Sequence, residues 1–343
     1  NWNMVPADQQ EGIKNGLLQA IVNEPEKYVR TSIAQVIGAL CNHEFPKKNQ
    51  WSNDVLKFIF ESAQSSDQGL SELGSETFAT ICESAPDQFV PHLQTIGVFC
   101  SQAMVAADST NNMANPVMFN LIMAMSHLVP FVLGNNAAEH IYSSSVPYVV
   151  KSLVAMQNDA EKFIDAFDIL ENMADHTPKL LTNYITLLIE FCLELSRNKD
   201  LDEAVRVKCI TYIGWVVRIK KKLILKQKLV EPIIATLFDL MSLPSDDSGD
   251  DTEEYFGSNE VTTPMNCATQ TMDVLALNIP PKNLIPPLLA LLEPALQSSN
   301  DPLKKKAAYL SIAVIAEGCS SAICKKYLRP LLDCIKTGIT DAN

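Results

Sequence analysis

The chain has 343 residues, of which 47% are hydrophobic and 20% are charged, and its formal net charge is −13. This composition can build a packed core, so it excludes disordered, collagen-like and disulfide-stabilised miniprotein classes. The low counts of glycine, at 12, and of aromatic residues, at 7%, argue against nucleotide-binding α/β folds and all-β folds. The sequence therefore predicts an all-α protein.

The negative net charge indicates which binding partners to expect, and the cysteines indicate the cellular compartment. An acidic body repels phosphate backbones, which favours a basic protein partner and argues against direct nucleic-acid binding. The nine cysteines form no C-x-x-C pair, and most lie in apolar stretches, where a free thiol packs as a small hydrophobe. We therefore expect a reduced cytosolic or nuclear protein.

Neither a signal peptide nor membrane insertion is expected. Residues 1–10 lack the basic start and the apolar run of a secretory signal. The best candidate span, Val117–Leu133, is shorter than the roughly 20 residues that a spanning helix needs, and it contains Asn120, His127 and Pro130. It is predicted to be a buried core helix.

Pairs of amphipathic segments recur along the chain, and prolines mark their ends. In several pairs a proline near the start of the first segment is expected to open a helix: Pro91, Pro147, Pro232, Pro286 and Pro330. Four other prolines are expected to end the second helices: Pro86, Pro130, Pro178 and Pro280. The anchors Val29, Leu73, Val117, Phe163 and Val205 are spaced by about 44, 44, 46 and 42 residues, within the range of helix-pair repeats.

This period predicts a HEAT-repeat (armadillo-type) α-α superhelix, a solenoid with a long concave surface. A single solenoid over residues 1–343, with about seven to eight helix pairs, accounts for the pattern. The chain begins and ends inside repeats without polar capping repeats, so we expect it to be truncated at both ends.

An acidic insertion interrupts the repeats at residues 245–263. It has no basic residue and no apolar periodicity, so it is expected to be a solvated loop. The offsets of Gly249 and Glu254 do not fit a calcium-binding loop. A dense run of carboxylates can capture a basic partner, although a plain solubilising loop explains the same composition.

The basic run Arg218–Lys228 has two interpretations. It is predicted to form the turn between two helices, where basic residues complement a helix C-terminus. An alternative hypothesis is that it holds the acidic insertion in an autoinhibited state. Trp215, just before the run, is predicted to be a core residue.

Catalytic and cofactor motifs are not found in the sequence. The five histidines are scattered without metal-binding spacing, and neither a phosphate-binding loop nor a nucleophile elbow is present. We therefore expect a protein that is not an enzyme and that needs no cofactor or metal.

Three segments carry a resemblance to a known family: Ser152–Leu181, Cys192–Lys226 and Thr271–Ser298. In this order, with the acidic insertion between the last two, they resemble the karyopherin-β (importin-β) family of nuclear import receptors. The resemblance extends along essentially the whole chain.

The resemblance implies a receptor that binds nuclear localisation signals of basic cargo and releases the cargo on binding Ran-GTP. It also implies histones and ribosomal proteins as cargo, contacts with phenylalanine-glycine nucleoporins, a monomeric state, and shuttling between cytoplasm and nucleus. The acidic loop that couples Ran to cargo release in the family corresponds here to Asp246, Asp247, Asp250, Asp251, Glu253 and Glu254. The alternative is a HEAT-repeat scaffold for protein complex assembly without a role in transport.

Overall fold

The computed structural model describes residues 2–47, 50–244, 263–297 and 301–340. Their regular secondary structure is helical, and no strand occurs among them. This confirms the all-α prediction.

The chain forms two compact units, Asn1–Leu181 and Thr182–Asn343. The first unit contains α1 (Ala7–Asn23), α2 (Lys27–Glu44), α3 (Gln50–Ala63), α4 (Gln68–Ser84), α5 (Leu93–Ser109), α6 (Pro116–Leu128), α7 (Asn136–Met156) and α8 (Ala160–His176). The second contains α9 (Ile185–Arg197), α10 (Glu203–Lys226), α11 (Val230–Met241), α12 (Pro264–Asn278), α13 (Pro281–Gln297), α14 (Pro302–Gly318) and α15 (Leu328–Ile339). Short 3₁₀ and π turns occur between some of them.

The helices alternate between two layers in each unit. The even-numbered helices, called here the second helices, pack side by side: α2, α4, α6 and α8 in the first unit, and α10, α12 and α14 in the second. Hydrogen bonds between the second helices of the first unit join residues one repeat apart, such as Thr31 to Glu76, 45 residues on. The predicted period of about 44 residues is therefore confirmed as the spacing of structurally equivalent positions.

The second helices end where the sequence predicts. The helices α4, α6, α8 and α12 stop two residues before Pro86, Pro130, Pro178 and Pro280. Proline disfavours the α conformation of the preceding residue and offers no amide hydrogen, which explains why these four helices end there.

The predicted starts of the first helices are less accurate. Pro232 and Pro330 lie in the first turns of α11 and α15, as expected. In contrast, α7 begins eleven residues before Pro147 and α13 begins five residues before Pro286. The Asn135 side chain caps α7 by accepting a hydrogen bond from the Ala138 amide at 3.1 Å. This N-cap sets the start of α7, and the proline is accommodated inside the helix.

The apolar segment at residues 117–133 is a core element of the first unit. Most of it forms α6, in which Leu121, Ile122 and Met125 are fully buried.

Within the described parts of the chain, no single helix has both the length and the apolar character to cross a membrane. The bent pair Pro302–Gly318 and Ser320–Ile339 satisfies those two criteria together, on length and composition alone.

A buried carboxylate joins the first helices of the chain. Glu44 at the end of α2 is 1% exposed. It accepts a hydrogen bond from the Trp2 indole at 2.8 Å and forms ion pairs with Lys14 at 3.4 Å and Lys47 at 2.7 Å. Burial lowers the pKa of the Lys14 ammonium, but Glu11 and Glu44 outweigh this effect and raise it overall. The network fixes α1 against α2.

Substitution of Glu44 by alanine is expected to destabilise the packing of α1 on α2 by about 3 kcal/mol, because the buried Lys14 loses a partner. Amide hydrogen exchange within Ala7–Asn23 measures this local effect. The matched control is Glu61→Ala, which removes an exposed carboxylate 3.9 Å from Lys57 and should cost less than about 1 kcal/mol. Equal protection of α1 in both variants would contradict the expectation.

Candidate protein-binding surface

The acidic residues predicted to couple Ran binding to cargo release lie outside the described residues. These are Asp246, Asp247, Asp250, Asp251, Glu253 and Glu254. The described helices on either side, α11 and α12, pack against each other. Thr263 caps α12 by accepting a hydrogen bond from the Asn266 amide at 3.2 Å. The function of the insertion stays a prediction.

A second acidic feature lies on α4, and the sequence analysis did not identify it. Glu72, Glu76 and Glu83 are four and seven residues apart, which places them on one face of the helix. The opposite face is anchored by Phe78 and Ile81, which are fully buried. Burial of the apolar face therefore presents the three carboxylates outward.

The helix α8 presents a similar stripe. Its buried face contains Phe163, Phe167 and Leu170, and the spacing of Asp168 and Asp175 places both carboxylates on the opposite face. Asp165 and Glu171 lie on the same side of the helix. In this unit α4 and α8 each carry an outward row of carboxylates.

The helix between them, α6, carries no charged residue on the same face. Its partly exposed residues there are Asn120, Met123 and His127. Burial lowers the pKa of the His127 imidazole, and the negative charges of Glu83 and Asp168 oppose this shift. His127 is therefore neutral at pH 7, and it lies within the electrostatic reach of one carboxylate from α4 and one from α8.

Hydrogen bonds hold these helices in register. The Asn120 amide of α6 donates to Ser75 Oγ of α4 at 3.0 Å. The Asn172 amide of α8 donates to Ser126 Oγ of α6 at 2.9 Å. These contacts connect equivalent positions of successive repeats, so the two acidic rows are presented on a fixed framework. We call Glu72, Glu76, Glu83, Asp165, Asp168, Glu171 and Asp175 the acidic face.

The carboxylates of α4 are not held in ion pairs, although Lys162 is close enough for an electrostatic interaction with Glu72. Among the residues that the structure describes, no lysine or arginine forms an ion pair with Glu72, Glu76 or Glu83. Lys162, at the start of α8, pairs instead with Asp159 at 2.8 Å. Carboxylates that are close together without counter-ions create a local negative potential that attracts basic ligands.

The corresponding face of the second unit has mixed charge. Burial raises the pKa of the Asp273 carboxyl, Glu317 raises it further, and Arg218 lowers it. Trp215 lies on this face of α10 and is only partly buried, so the prediction of a core tryptophan was wrong. The other face of α10 supplies the core there, through Tyr212, Ile213 and Val216.

The basic run 218–228 is helical for most of its length, which corrects the prediction of a turn. The helix α10 continues to Lys226 with one non-helical residue, Lys220, and the turn comprises only residues 227–229. Lys228 has a positive φ of 57° there. Leu223 and Ile224 pack along the helix, so the apolar residues within the basic run keep the chain helical.

The described residues contain no group of three or more histidine, cysteine, aspartate or glutamate side chains that could hold a metal ion. Burial raises the pKa of the Cys41 and Cys100 thiols to about 12, so both are protonated at neutral pH. A protonated thiol is a poor nucleophile.

Comparisons with known proteins agree on one family. The family model described as "IPO5-like, TPR repeats" matches residues 25–191. Importin-4 of Homo sapiens is 27% identical over 351 residues, covering 99% of this chain and 31% of importin-4. The probable importin subunit beta-4 of Schizosaccharomyces pombe is 23% identical, covering 94% of this chain and 29% of that protein. The chain spans about a third of the length of the curated relatives it matches.

Solved structures show the same architecture. Kap121p bound to Nup53p matches with a TM-score of 0.77 and 18% identity, covering 99% of this chain and 32% of Kap121p. Kap121p bound to RanGTP matches with a TM-score of 0.75 at the same identity and coverage. Because the sequence identity is only 18%, these matches establish the fold alone. It is the all-α HEAT-repeat fold that the sequence predicts. The family model and the importin relatives show that this chain is similar to members of the karyopherin-β family, and the solved structures show that it shares their fold.

Proposed function

We propose that this protein acts as a nuclear import receptor, which binds basic protein cargo and releases it on binding Ran-GTP. The single observation that carries the cargo step is the acidic face, where rows of carboxylates on α4 and α8 flank the neutral His127. The names of the matched relatives, which are importins, support the receptor role. These names are those of transport receptors and not of enzymes.

The cargo class follows from the charge of the acidic face. An extended lysine- or arginine-rich segment can place its cations along the two carboxylate rows and its aliphatic stems against α6. Histones and ribosomal proteins are basic proteins of this kind. Attraction between exposed charges weakens as the Debye length falls from about 10 Å at 0.1 M salt to about 3 Å at 1 M. Cargo binding should therefore depend strongly on salt.

The Ran step rests on the acidic insertion and on the family. Kap121p has been crystallised with RanGTP, with Nup53p and with other proteins. By similarity, we propose Ran-GTP and phenylalanine-glycine nucleoporins as further partners of this protein and shuttling through the nuclear pore between cytoplasm and nucleus as its localisation. Residues 246–254 of the insertion are proposed to couple Ran binding to cargo release.

The Ran step is tested by measuring binding of this chain to Ran loaded with GTP and with GDP. We expect the GTP form to bind more tightly and to displace a fluorescent lysine-rich cargo peptide. Replacement of residues 245–262 by a neutral linker of equal length should abolish the displacement while the peptide still binds. Displacement that is unchanged in the linker variant would contradict the proposed role of the insertion.

A HEAT-repeat scaffold without a transport role is the second candidate. It explains the fold equally well, but it requires no response to Ran. Equal affinity of the folded chain for both nucleotide forms of Ran would favour this candidate.

A further inference from the structure

A group of exposed lysines lies near the end of α10 and the start of α13 in the second unit. Lys221, Lys222, Lys226, Lys228 and Lys282 are exposed. None of them forms an ion pair within 4 Å among the described residues. Lysines elsewhere commonly have a carboxylate partner, as Lys151 does with Asp108 at 2.6 Å. In a chain with a net charge of −13, five uncompensated cations in one region need an explanation.

The local fold brings these lysines to one place. Lys221 and Lys222 precede Leu225 by four and three residues in α10, so they lie on the same side of the helix as Leu225. Lys228 lies in the turn after α10 and Lys282 is the second residue of α13. The helices α11 and α13 pack against each other, which brings Lys282 beside this turn.

An open groove of about 410 Å³ has both Lys228 and Lys282 in its lining. Its apolar wall is formed by Leu225, Val230 and Pro287. This volume is within the usual range for a site that binds a small molecule or a few residues of a peptide. The groove therefore combines an apolar wall with two lysine side chains in its lining.

The remaining polar lining narrows the choice of ligand. Asn283 contributes an amide, and Glu231 contributes a carboxylate. Glu231 repels phosphates and carboxylates alike, so the apolar wall is the feature that separates these ligands. A ligand made only of phosphate groups would gain nothing from that wall, whereas a peptide can place an apolar side chain on it.

We propose that this groove is a docking site for an acidic peptide segment of a partner protein. An apolar or aromatic side chain of the segment packs on Leu225, Val230 and Pro287. Carboxylates on either side of it bind Lys228 and Lys282, and further carboxylates follow the exposed face of α10 along Lys221 and Lys222. This site binds acidic ligands and is separate from the acidic face, so it does not depend on the proposed function.

Fluorescence anisotropy with a synthetic peptide tests the site. The probe is a labelled peptide of aspartates and glutamates with one central phenylalanine. The double variant Lys228→Gln/Lys282→Gln should weaken binding by about tenfold at low salt, as expected for the loss of two charge pairs. The matched control Lys57→Gln/Lys336→Gln removes the same charge from exposed lysines of other helices and should leave the affinity unchanged.

A second probe tests the apolar wall. A peptide in which serine replaces the phenylalanine should bind several-fold more weakly, since it loses the contact with Leu225 and Pro287. Equal affinity of the two peptides, or an equal loss in the control variant, would overturn the proposal. Tighter binding of inorganic polyphosphate than of the peptide would also overturn it.

The chain's own acidic insertion is the competing occupant. Peptide binding that appears only after replacement of residues 245–262 by a neutral linker would overturn the assignment to a partner protein. A lysine-rich cargo peptide should bind the Lys228→Gln/Lys282→Gln variant as tightly as the unaltered chain. The acidic peptide and the lysine-rich peptide therefore test the groove and the proposed function separately, and one proposal can fail without the other.

Discussion

Substitution of Gly74 by alanine is expected to destabilise the first unit by about 3 kcal/mol, because an added methyl group has no room between α3 and α4. A Cβ atom at this position would lie 2.5 Å from the Ala63 nitrogen and 2.5 Å from Ser62 Cβ. The first of these is a backbone atom, so the two helices would have to move apart. That movement would disturb the position of α4, which carries three carboxylates of the acidic face.

The control for this prediction is Gly16→Ala on α1. A Cβ atom there would meet nothing within 4 Å, and alanine is the better helix former by about 1 kcal/mol. This variant should therefore be neutral or slightly stabilised. The thermal unfolding midpoint, together with hydrogen exchange within α3 and α4, distinguishes the two outcomes. Similar stability of the two variants would show that α3 and α4 are not so closely packed at Gly74.

Gly318 offers the same test in the second unit. Its added Cβ would lie 2.4 Å from the Ala276 carbonyl carbon of α12. We expect Gly318→Ala to separate α14 from α12 and to lower the stability of the second unit by a similar amount, about 3 kcal/mol. A loss of protection in α3 and α4, with none in α12 and α14, would contradict this expectation.

Neutralisation of the acidic face is expected to weaken cargo binding by about ten- to a hundredfold at low salt. The variant is Glu72→Gln/Glu83→Gln/Asp168→Asn/Asp175→Asn, which keeps the side-chain sizes and removes four negative charges. Each exposed pair contributes about 0.2–1 kcal/mol, and about 1.4 kcal/mol corresponds to a tenfold change in affinity. Anisotropy with a fluorescent lysine-rich peptide measures the loss, which should shrink as the salt concentration rises.

The control variant removes the same charge from other exposed helix and turn positions. It is Glu61→Gln/Asp87→Asn/Glu194→Gln/Glu293→Gln, at residues that are exposed and lie outside the second helices. If net charge alone controlled binding, both variants would lose affinity equally, and the acidic face would not be the cargo site. Circular dichroism should show the same helix content in both, since none of these side chains is in the core.

Some features of the fold could be predicted because they depend on local chemistry. The prolines at 86, 130, 178 and 280 each follow the end of a helix by two residues, since the residue before a proline is disfavoured in the α conformation. The repeat period of about 44 residues could be read from the apolar anchors because each helix must bury one face against its neighbour. The start of α7 was not predicted, because the cap at Asn135 is a weaker signal than a proline.

Trp215 and the basic run were interpreted wrongly for a related reason. A tryptophan in an apolar stretch suggests the core, but the rotation of α10 about its axis decides which of its residues face inward. The run 218–228 suggests a turn because it lies between two apolar segments and because basic residues complement a helix C-terminus. The helix α10 nevertheless continues to Lys226, with Leu223 and Ile224 within it. Neither the rotation of a helix nor the length of its last turns can be read from local composition alone.

The acidic face shows most clearly what the sequence determined and what only the tertiary structure decided. The spacing of Glu72, Glu76 and Glu83, and that of Asp168 and Asp175, is present in the sequence, and helical periodicity already places each set on one side of its helix. The sequence by itself also determined the all-α fold, the repeat and the acidic charge. Only the packing of α4, α6 and α8 brought the two sets to either side of His127, because residues far apart in the chain meet only when the buried faces of successive repeats stack.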